Sequence, residues 1–289
     1  PLVLDGKDVI GKSATGSGKT LAFGAAIIHT VKTGHGIQAL VMTPTRELAE
    51  QVTKSLRGFS KYNHLHIIEI YGGVGIQGQV RDIERADVIV GTPGRILDHL
   101  ERRTLNLGRL KILVLDEADR MVDMGFLPDV ERIIKACPVD RQTLLFSATI
   151  SPDVSYIEKK YMKHAKSVSA ESYVDASKLK QYYYDVPNHM KFSLLVHLLK
   201  QETSGLVMVF CNTRRNADFV SKNLRRYGIN AIPIHGGLNQ NKRTRTMEDF
   251  KDGQAGVLVC TDVAARGLDI KNVSHVYNYD MSINSSEYI

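Results

Sequence analysis

The stretch Asp8–Thr20, Asp-Val-Ile-Gly-Lys-Ser-Ala-Thr-Gly-Ser-Gly-Lys-Thr, is the sequence feature that decides the fold of this chain. Its apolar residues Val9 and Ile10 predict a short strand, and the residues from Leu21 onward predict a helix. Between them, small residues form a turn whose backbone N–H groups can surround a phosphate at the helix N-terminus. The sequence therefore predicts a phosphate-binding loop between a strand and a helix.

The ending Gly18-Lys19-Thr20 indicates which side chains would act in this loop. A lysine at this position places its ammonium against the β- and γ-phosphates, and the following hydroxyl is a Mg²⁺ ligand. The phosphate-loop pattern has glycine where Ser13 stands, so a chance turn rich in glycine and serine is the alternative interpretation. The predicted loop consists of Ser13, Ala14, Thr15, Gly16, Ser17, Gly18, Lys19 and Thr20.

The composition favours a cytoplasmic protein with a polyanionic partner. Apolar residues make up 43% of the 289 residues, and no stretch approaches the ~20 apolar residues of a membrane span. No secretory signal is recognisable, so we expect no membrane partner. The cysteines Cys137, Cys211 and Cys260 are far apart, which predicts buried thiols in a reducing compartment. A formal net charge of +7 favours a polyanionic partner, although many proteins carry such a surplus without one.

Apolar runs recur along the first half of the chain, and each is followed by a polar signature. Apolar strands that alternate with helical segments predict a parallel sheet with helices on both faces. The loops at the carboxyl ends of such strands form one ligand-binding edge. The signatures are Thr43–Ala49, Gly72–Gly73, Gly91–Arg95, Asp116–Asp119 and Ser147–Thr149.

A second, similar series of strands follows a segment in which the pattern weakens. We predict a first domain at 1–168, a linker at 169–180 and a second domain at 181–289. The second domain has no Gly-Lys-Thr loop of its own. Because the chain begins at Pro1 and ends at Ile289 without a closing element, we expect a piece of a longer protein whose second domain is incomplete.

An acidic pair follows one of the predicted strands. Asp116 closes the apolar run, which is where a Mg²⁺-associated acid lies in phosphate-loop ATPases. Glu117, the next residue, can orient or deprotonate an attacking water. Most acidic pairs at strand ends are merely solvated or cap a helix, but downstream of a phosphate loop the catalytic interpretation is favoured.

These signatures, in this order and over nearly the whole chain, resemble the DEAD-box ATP-dependent RNA helicases. The resemblance implies two RecA-like α/β domains, each a mostly parallel sheet with helices on both faces, the second incomplete. It implies ATP and Mg²⁺ as cofactors, with Thr20 and Asp116 at the metal. It also implies an RNA partner, single-stranded or a short duplex, bound through its backbone with little sequence preference.

The resemblance also assigns roles to single residues. The catalytic set is Lys19, Asp116, Glu117, Ser147 and Thr149, with Ser147 and Thr149 coupling hydrolysis to strand separation. The alternative for those two is that they are small residues that cap a helix before Pro152, which is compatible with the coupling role. In the second domain, Gly267 and Asp269 are expected to face the nucleotide. In the family the position of Ser13 is more often alanine.

A further set is expected to contact RNA. Arg243 is placed in this set, with a solvated helix residue as the alternative interpretation. Lys222, Arg225 and Arg226 are interpreted as ordinary surface residues. The expected RNA-contacting residues are Pro44, Thr45, Arg46, Glu47, Gly72, Gly73, Thr92, Pro93, Gly94, Arg95, Arg243, Thr261 and Asp262.

The function expected from the resemblance is an RNA-dependent ATPase that unwinds RNA duplexes locally or remodels RNA–protein complexes. An ATP-dependent RNA clamp without unwinding and a DNA translocase are the alternatives, and the strings Pro44–Ala49 and Asp116–Asp119 argue against the translocase. The family's adenine-reading glutamine is expected upstream of Pro1, and its ATP-site arginines after Ile289. We therefore expect weak ATP hydrolysis from this chain alone.

Overall fold

The computed structural model describes residues 1–13, 17–169, 180–201, 205–261, 270 and 272–281. The chain divides into two compact units, Pro1–Ala176 and Ser177–Ile289. Several residues with a predicted role lie outside the described residues. They are Ala14, Thr15, Gly16, Asp262, Gly267 and Asp269. Most of the predicted linker at 169–180 lies outside them as well, so the domain boundaries stay a prediction.

The first unit alternates strands and helices, as the sequence predicts. Its strands in the described residues are β1 (Val9–Lys12), β2 (Ala39–Met42), β3 (Ile67–Ile70), β4 (Val88–Gly91), β5 (Ile112–Leu115), β6 (Gln142–Ser147) and β7 (Lys166–Ser169). Its helices there are α1 (Lys19–Thr30), α2 (Arg46–Phe59), α3 (Ile76–Ile83), α4 (Pro93–Glu101), α5 (Ala118–Asp123), α6 (Leu127–Ala136) and α7 (Pro152–Tyr161).

These strands form one parallel sheet in the order β3-β4-β2-β5-β6-β1-β7. Successive side chains of a strand point to opposite faces, so a strand covered on both faces is apolar at every position. In β2, Leu40 packs with the core that includes α4, α6 and α7, whereas its neighbour Val41 packs with α1 and α2. The prediction of a parallel sheet with helices on both faces is confirmed.

Strand β7 is the element that the sequence pattern does not reveal. Its four residues are all exposed, and its sequence Lys-Ser-Val-Ser lacks the apolar run of the other strands. It pairs in parallel with β1, and the Lys166 N–H donates to the carbonyl of Asp8 at 2.9 Å. An edge strand can be held by backbone hydrogen bonds alone, so side-chain periodicity does not predict it.

The second unit repeats this architecture on a smaller scale. In the described residues its strands are β8 (Leu206–Cys211), β9 (Ala231–Ile234), β10 (Val257–Thr261) and β11 (Val273–Asn278), in the parallel order β11-β8-β10-β9. Its helices there are α8 (Lys191–Gln201), α9 (Arg214–Arg226) and α10 (Gln240–Lys251).

The core of the second unit also has two layers. Val209 packs on the side of α8 and α9, and Met208 packs on the side of α10 around Phe250. Across the described parts of both units, none of the helices has the length and apolarity that crossing a bilayer requires.

Glycine substitutions test the close packing at the end of β4. A Cβ on Gly91 would lie 2.5 Å from the backbone carbonyl of Ile70, so we expect Gly91→Ala to lower the free energy of unfolding by about 1–3 kcal/mol. Gly58 in α2 has open space around it, so the matched Gly58→Ala change should raise that free energy by about 0.4–1 kcal/mol. Urea unfolding of both variants checks this, and equal effects would contradict the packing argument.

Candidate functional site

The polar signatures of the first unit converge at the carboxyl edge of its sheet. Parallel pairing aligns Lys12 with Ser147 and Met42 with Leu115, so the ends of β1, β6, β5 and β2 lie side by side. The Ser13 N–H donates to the carbonyl of Ser147 at 3.1 Å. The phosphate-loop sequence, the acidic pair and the Ser147–Thr149 segment therefore form one site.

The described part of the phosphate loop is held by its own polar groups. The Ser17 hydroxyl donates to Ser13 Oγ at 2.9 Å, and Lys19 Nζ lies 3.4 Å from the Ser13 carbonyl oxygen. Gly18 has a φ of 86°, a left-handed conformation that favours glycine, and α1 begins directly after it. Since Gly18 offers no side chain to cap α1, the first N–H groups of this helix are available to an anion.

Asp116 is a buried carboxylate directly after β5. It is 3% exposed, and its Oδ1 accepts from the Glu117 N–H at 3.0 Å. Burial raises the pKa of Asp116 to about 6, the Lys19 ammonium acts in the opposite direction, and the Glu117 carboxylate raises it further. This carboxyl group is therefore poorly balanced by positive charge and is suited to a cation.

Glu117 adopts a backbone conformation that is uncommon for a residue other than glycine. Its φ is 52° and its ψ is 54°, just before α5 begins. Its carboxylate is nearly buried, and Arg120 Nη1 donates to Oε2 at 2.5 Å. Strained conformations of this kind cluster at functional sites. Sequence reasoning missed Arg120, although its i,i+3 spacing from Glu117 on a helix was a usable signal.

Asp119 joins the acidic segment to the segment after β6. Its Oδ2 accepts hydrogen bonds from the Ala148 N–H at 3.1 Å, the Thr149 N–H at 2.8 Å and the Thr149 hydroxyl at 2.9 Å. Its own N–H donates to Ser147 Oγ at 3.2 Å. The sequence placed Asp119 within the motif but assigned it no role. These bonds make it the link between the two segments.

The alternative interpretation of Ser147 and Thr149 as helix caps is wrong. Helix α7 begins at Pro152, and the residue that caps it is Ser151, whose Oγ accepts from the Val154 N–H at 3.3 Å. The Ser147 hydroxyl donates instead to the Thr149 carbonyl at 2.7 Å.

The same edge also brings together several residues expected to contact RNA. Thr45 caps α2 by accepting from the Leu48 N–H at 3.3 Å. The Arg46 guanidinium lies directly on the backbone of Gly72 and Gly73, so that a Cβ on Gly73 would overlap it. Gly73 also has a φ of 86°, so two independent constraints require glycine here. Pro44 and Glu47 beside them are buried.

Arg95 differs from this group because its guanidinium is hydrogen-bonded to other residues of the first unit. Nη1 and Nη2 lie 3.2 and 3.1 Å from the Val74 carbonyl oxygen, and Nη1 donates to Gln79 Oε1 at 3.1 Å. The side chain is 11% exposed. Gln79 in turn contacts buried His99, whose pKa is lowered by burial and by the nearby Arg95 charge. Arg95 therefore fixes the loop after β3.

Thr92, Pro93 and Gly94 form the start of α4. No side-chain hydrogen bond caps this helix, Pro93 occupies its first turn, and Gly94 is exposed. The helix N-terminus is consequently open to an anion on the same edge as Arg46.

The described part of the second unit contains Arg243 on α10 and Thr261 at the end of β10. Arg243 is partly buried, and Asn239 caps its helix by accepting from the Lys242 N–H at 2.9 Å. Lys222, Arg225 and Arg226 on α9 are exposed, which agrees with a plain surface role.

The sequence and the fold match known proteins along the whole chain. Residues 1–157 match the family model described as DEAD/DEAH box helicase, and residues 190–289 match the helicase conserved C-terminal domain. The chain therefore belongs to the DEAD/DEAH box helicase family, as the sequence motifs predict.

Particular relatives extend this comparison. The chain is 45% identical over 292 residues to the ATP-dependent RNA helicase CshA of Limosilactobacillus reuteri, covering 100% of this chain and 59% of that relative. A DEAD box protein from Methanococcus jannaschii is 39% identical with a TM-score of 0.58, covering 100% of this chain and 78% of that one. S. cerevisiae Dbp5 bound to RNA and ADP BeF3 is 33% identical with a TM-score of 0.85, covering 97% and 72%.

The raised pKa of Asp116 predicts a pH-dependent stability. The folded state binds this proton more tightly than the unfolded state, so stability falls as the pH rises from the ordinary pKa of 3.8 to about 6. Without metal or nucleotide, we expect Asp116→Asn to be more stable than the parent near pH 7, by on the order of 2–3 kcal/mol.

Urea unfolding at several pH values measures this difference, which should vanish near the ordinary pKa of the carboxyl group. Asp123→Asn, at an exposed position of α5, is the matched control and should have little effect. If Asp116→Asn raised the free energy of unfolding equally at all pH values, this result would contradict a raised pKa for Asp116.

Proposed function

We propose that this chain is the ATP-hydrolysing part of an RNA helicase that separates short RNA duplexes or remodels RNA–protein complexes. The observation that carries the proposal is the joining of the acidic segment to the Ser147–Thr149 segment through Asp119. The names of the relatives support it, since they are ATP-dependent RNA helicases.

ATP would be held through its phosphates by the N-terminus of α1 and by Lys19. The contact of Lys19 Nζ with the Ser13 carbonyl is long, at 3.4 Å, and leaves the ammonium able to meet the β- and γ-phosphates. Thr20 lies in the first turn of the same helix. Gly267 and Asp269 of the second unit belong to the proposed nucleotide site on the strength of the family motif alone.

The residues present fit a magnesium ion. Thr20 supplies a hydroxyl, and Asp116 supplies a buried carboxylate whose pKa is raised first by burial and further by the Glu117 carboxylate. In the parts of the chain that the structure describes, no three His, Cys, Asp or Glu residues cluster as a metal site. Magnesium commonly takes one or two protein ligands and completes its shell with phosphate oxygens and water. When bound, the ion neutralises charge on the transferring phosphoryl group.

Glu117 would orient the water that attacks the γ-phosphate. Its backbone is left-handed directly after β5, and Arg120 restrains one of its carboxylate oxygens at 2.5 Å. A restrained carboxylate loses little conformational entropy when it positions a water. Arg120 is therefore a positioning residue in this proposal.

RNA would lie along the carboxyl edge of the first sheet. Arg46 against Gly72 and Gly73 places a charged group beside backbone, and the start of α4 offers the N–H of exposed Gly94. Such groups bind phosphates and give little sequence preference. Arg95 supports this surface by fixing the loop after β3. For the second unit, the family motifs alone propose Arg243, Thr261 and Asp262 as RNA-contacting residues.

Nucleotide binding tests the role of Lys19. We expect Lys19→Ala to weaken ATP binding by at least tenfold, because a charge-assisted contact with phosphate is lost. Lys12→Ala is the matched control, since Lys12 is an exposed lysine at the end of β1. Titration with a fluorescent ATP analogue measures both variants. Equal affinity in the parent and in Lys19→Ala would rule out the phosphate-loop assignment.

Turnover tests the role of Glu117. In the full-length protein, we expect Glu117→Gln to bind ATP nearly as well as the parent but to hydrolyse it at least about 100-fold more slowly. Steady-state RNA-stimulated ATP turnover is measured beside strand separation of RNA and DNA duplexes. Near-normal turnover in the variant would show that Glu117 is only structural, and a parent that turns over ATP without separating RNA strands would instead indicate a clamp.

A further inference from the structure

The amino edge of the first sheet, opposite the site described above, carries a cavity. It has a volume of about 520 Å³ and lies where β5, β6, β1 and β7 begin. These four strands are neighbours in the sheet. The cationic side chains that line the cavity are Lys7, Lys111, Arg141, Lys163 and Lys166, together with His164.

The backbone around this cavity is fixed by buried polar contacts. The Asp8 carboxylate is 5% exposed and accepts from the Thr143 N–H at 2.7 Å and from the Lys163 N–H at 2.6 Å. Gln142 Nε2 donates to the carbonyls of Val3 at 2.9 Å and Lys7 at 2.7 Å. The loops that present the cations are therefore tied to one another without any ligand.

The positive charge of the cavity exceeds its negative charge, because four lysines and one arginine face two carboxylates. Of its two carboxylates, Asp8 is buried and occupied by backbone N–H groups, and Asp140 is fully exposed beside Lys163 at 3.3 Å. Lys111 Nζ donates to the neutral Gln38 Oε1 at 2.9 Å. Within the described ranges, no acidic partner of Lys7 or Lys166 is found.

Arg141 shows the same surplus of donors over acceptors. Its Nη1 donates to the neutral Pro138 carbonyl at 2.6 Å, while its Nε is buried with no hydrogen-bond partner in the described part of the chain.

The shape and chemistry of the cavity identify the kind of ligand. Three inter-strand spacings of about 4.8 Å place the cations along a row of about 14 Å. Apart from glycine, every lining side chain is charged or polar, whereas protein partners are usually anchored by apolar and aromatic contacts. A row of cations without apolar contacts suits a chain of phosphates.

We infer that this cavity binds the backbone phosphates of RNA that extends beyond the main RNA surface. The inference rests on the proposed function, because it requires RNA to be held at the carboxyl edge first. A strand bound at both edges of the sheet has a longer contact than the main surface provides. The second site therefore favours long RNA over short RNA, without reading sequence.

The test compares short and long single-stranded RNA in filter-binding titrations at several salt concentrations. The variant Lys7→Ala/Lys166→Ala removes two exposed charges without disturbing a described side-chain contact. We expect long RNA to bind about tenfold more weakly to it, with a salt slope smaller by about 1.4. Binding of short RNA should not change.

The control is Lys54→Ala/Lys61→Ala, which removes the same charge from exposed positions on and just after α2. That helix packs near β3 and β4, on the other side of the sheet order. This variant should bind both RNAs like the parent. An equal loss of affinity for long RNA in both variants would indicate a general effect of net charge and would overturn the inference.

A second measurement on the unmodified protein does not depend on substitutions. Long RNA should protect Lys111 and Lys166 from acetylation, and short RNA should not. Protection by polyglutamate but not by long RNA would overturn the inference in favour of an acidic protein segment. If short RNA fails to bind the parent, the proposed function itself fails, whereas normal binding of short RNA with no effect at the amino edge refutes only the second site.

Discussion

The parallel pairing of β6 with β1 on one side and with β5 on the other is the constraint on which the site depends. It aligns Lys12 with Ser147 and Leu115 with Leu145, so three loops that are distant in sequence leave the sheet at neighbouring points. A parallel sheet has all its carboxyl ends at one edge, and the N–H groups and side chains of those loops can converge on one ligand. Burial of Asp116 follows from this arrangement.

The hydrogen bonds of Asp119 show how a change at the nucleotide can reach another part of the protein. One carboxylate oxygen accepts three donors from Ala148 and Thr149, while Asp119 stands two residues from Glu117 on the same turn. Movement of the acidic turn must therefore displace the segment after β6 or break these bonds. This gives a physical route for coupling hydrolysis to motion, within the function proposed above.

Most of the fold was predictable because strands that are buried on both faces appear in the sequence as apolar runs, and the motif residues follow those runs. The family was predictable because these motifs occur in a fixed order along the chain, whereas the roles of the site residues stay a prediction. The hydrogen-bond partners of individual side chains were not predictable. Arg95 carries charge in a segment expected to contact RNA, yet its guanidinium is hydrogen-bonded to Val74 and Gln79, and nothing in the sequence marks those partners. Strand β7 was not predicted because backbone hydrogen bonds to β1 hold it without apolar side chains.

The two edges of the first sheet differ in a way that explains why only one of them has recognisable motifs. The carboxyl edge combines a buried acid, a strained backbone and glycines against which Arg46 packs, and each demand restricts the residue type. The amino edge needs only positive charge on a fixed frame, and Lys7, Lys111 and Lys166 supply it from unrelated loops. Binding that depends on charge alone leaves no spacing in the sequence, so it becomes visible only when the sheet brings those loops together.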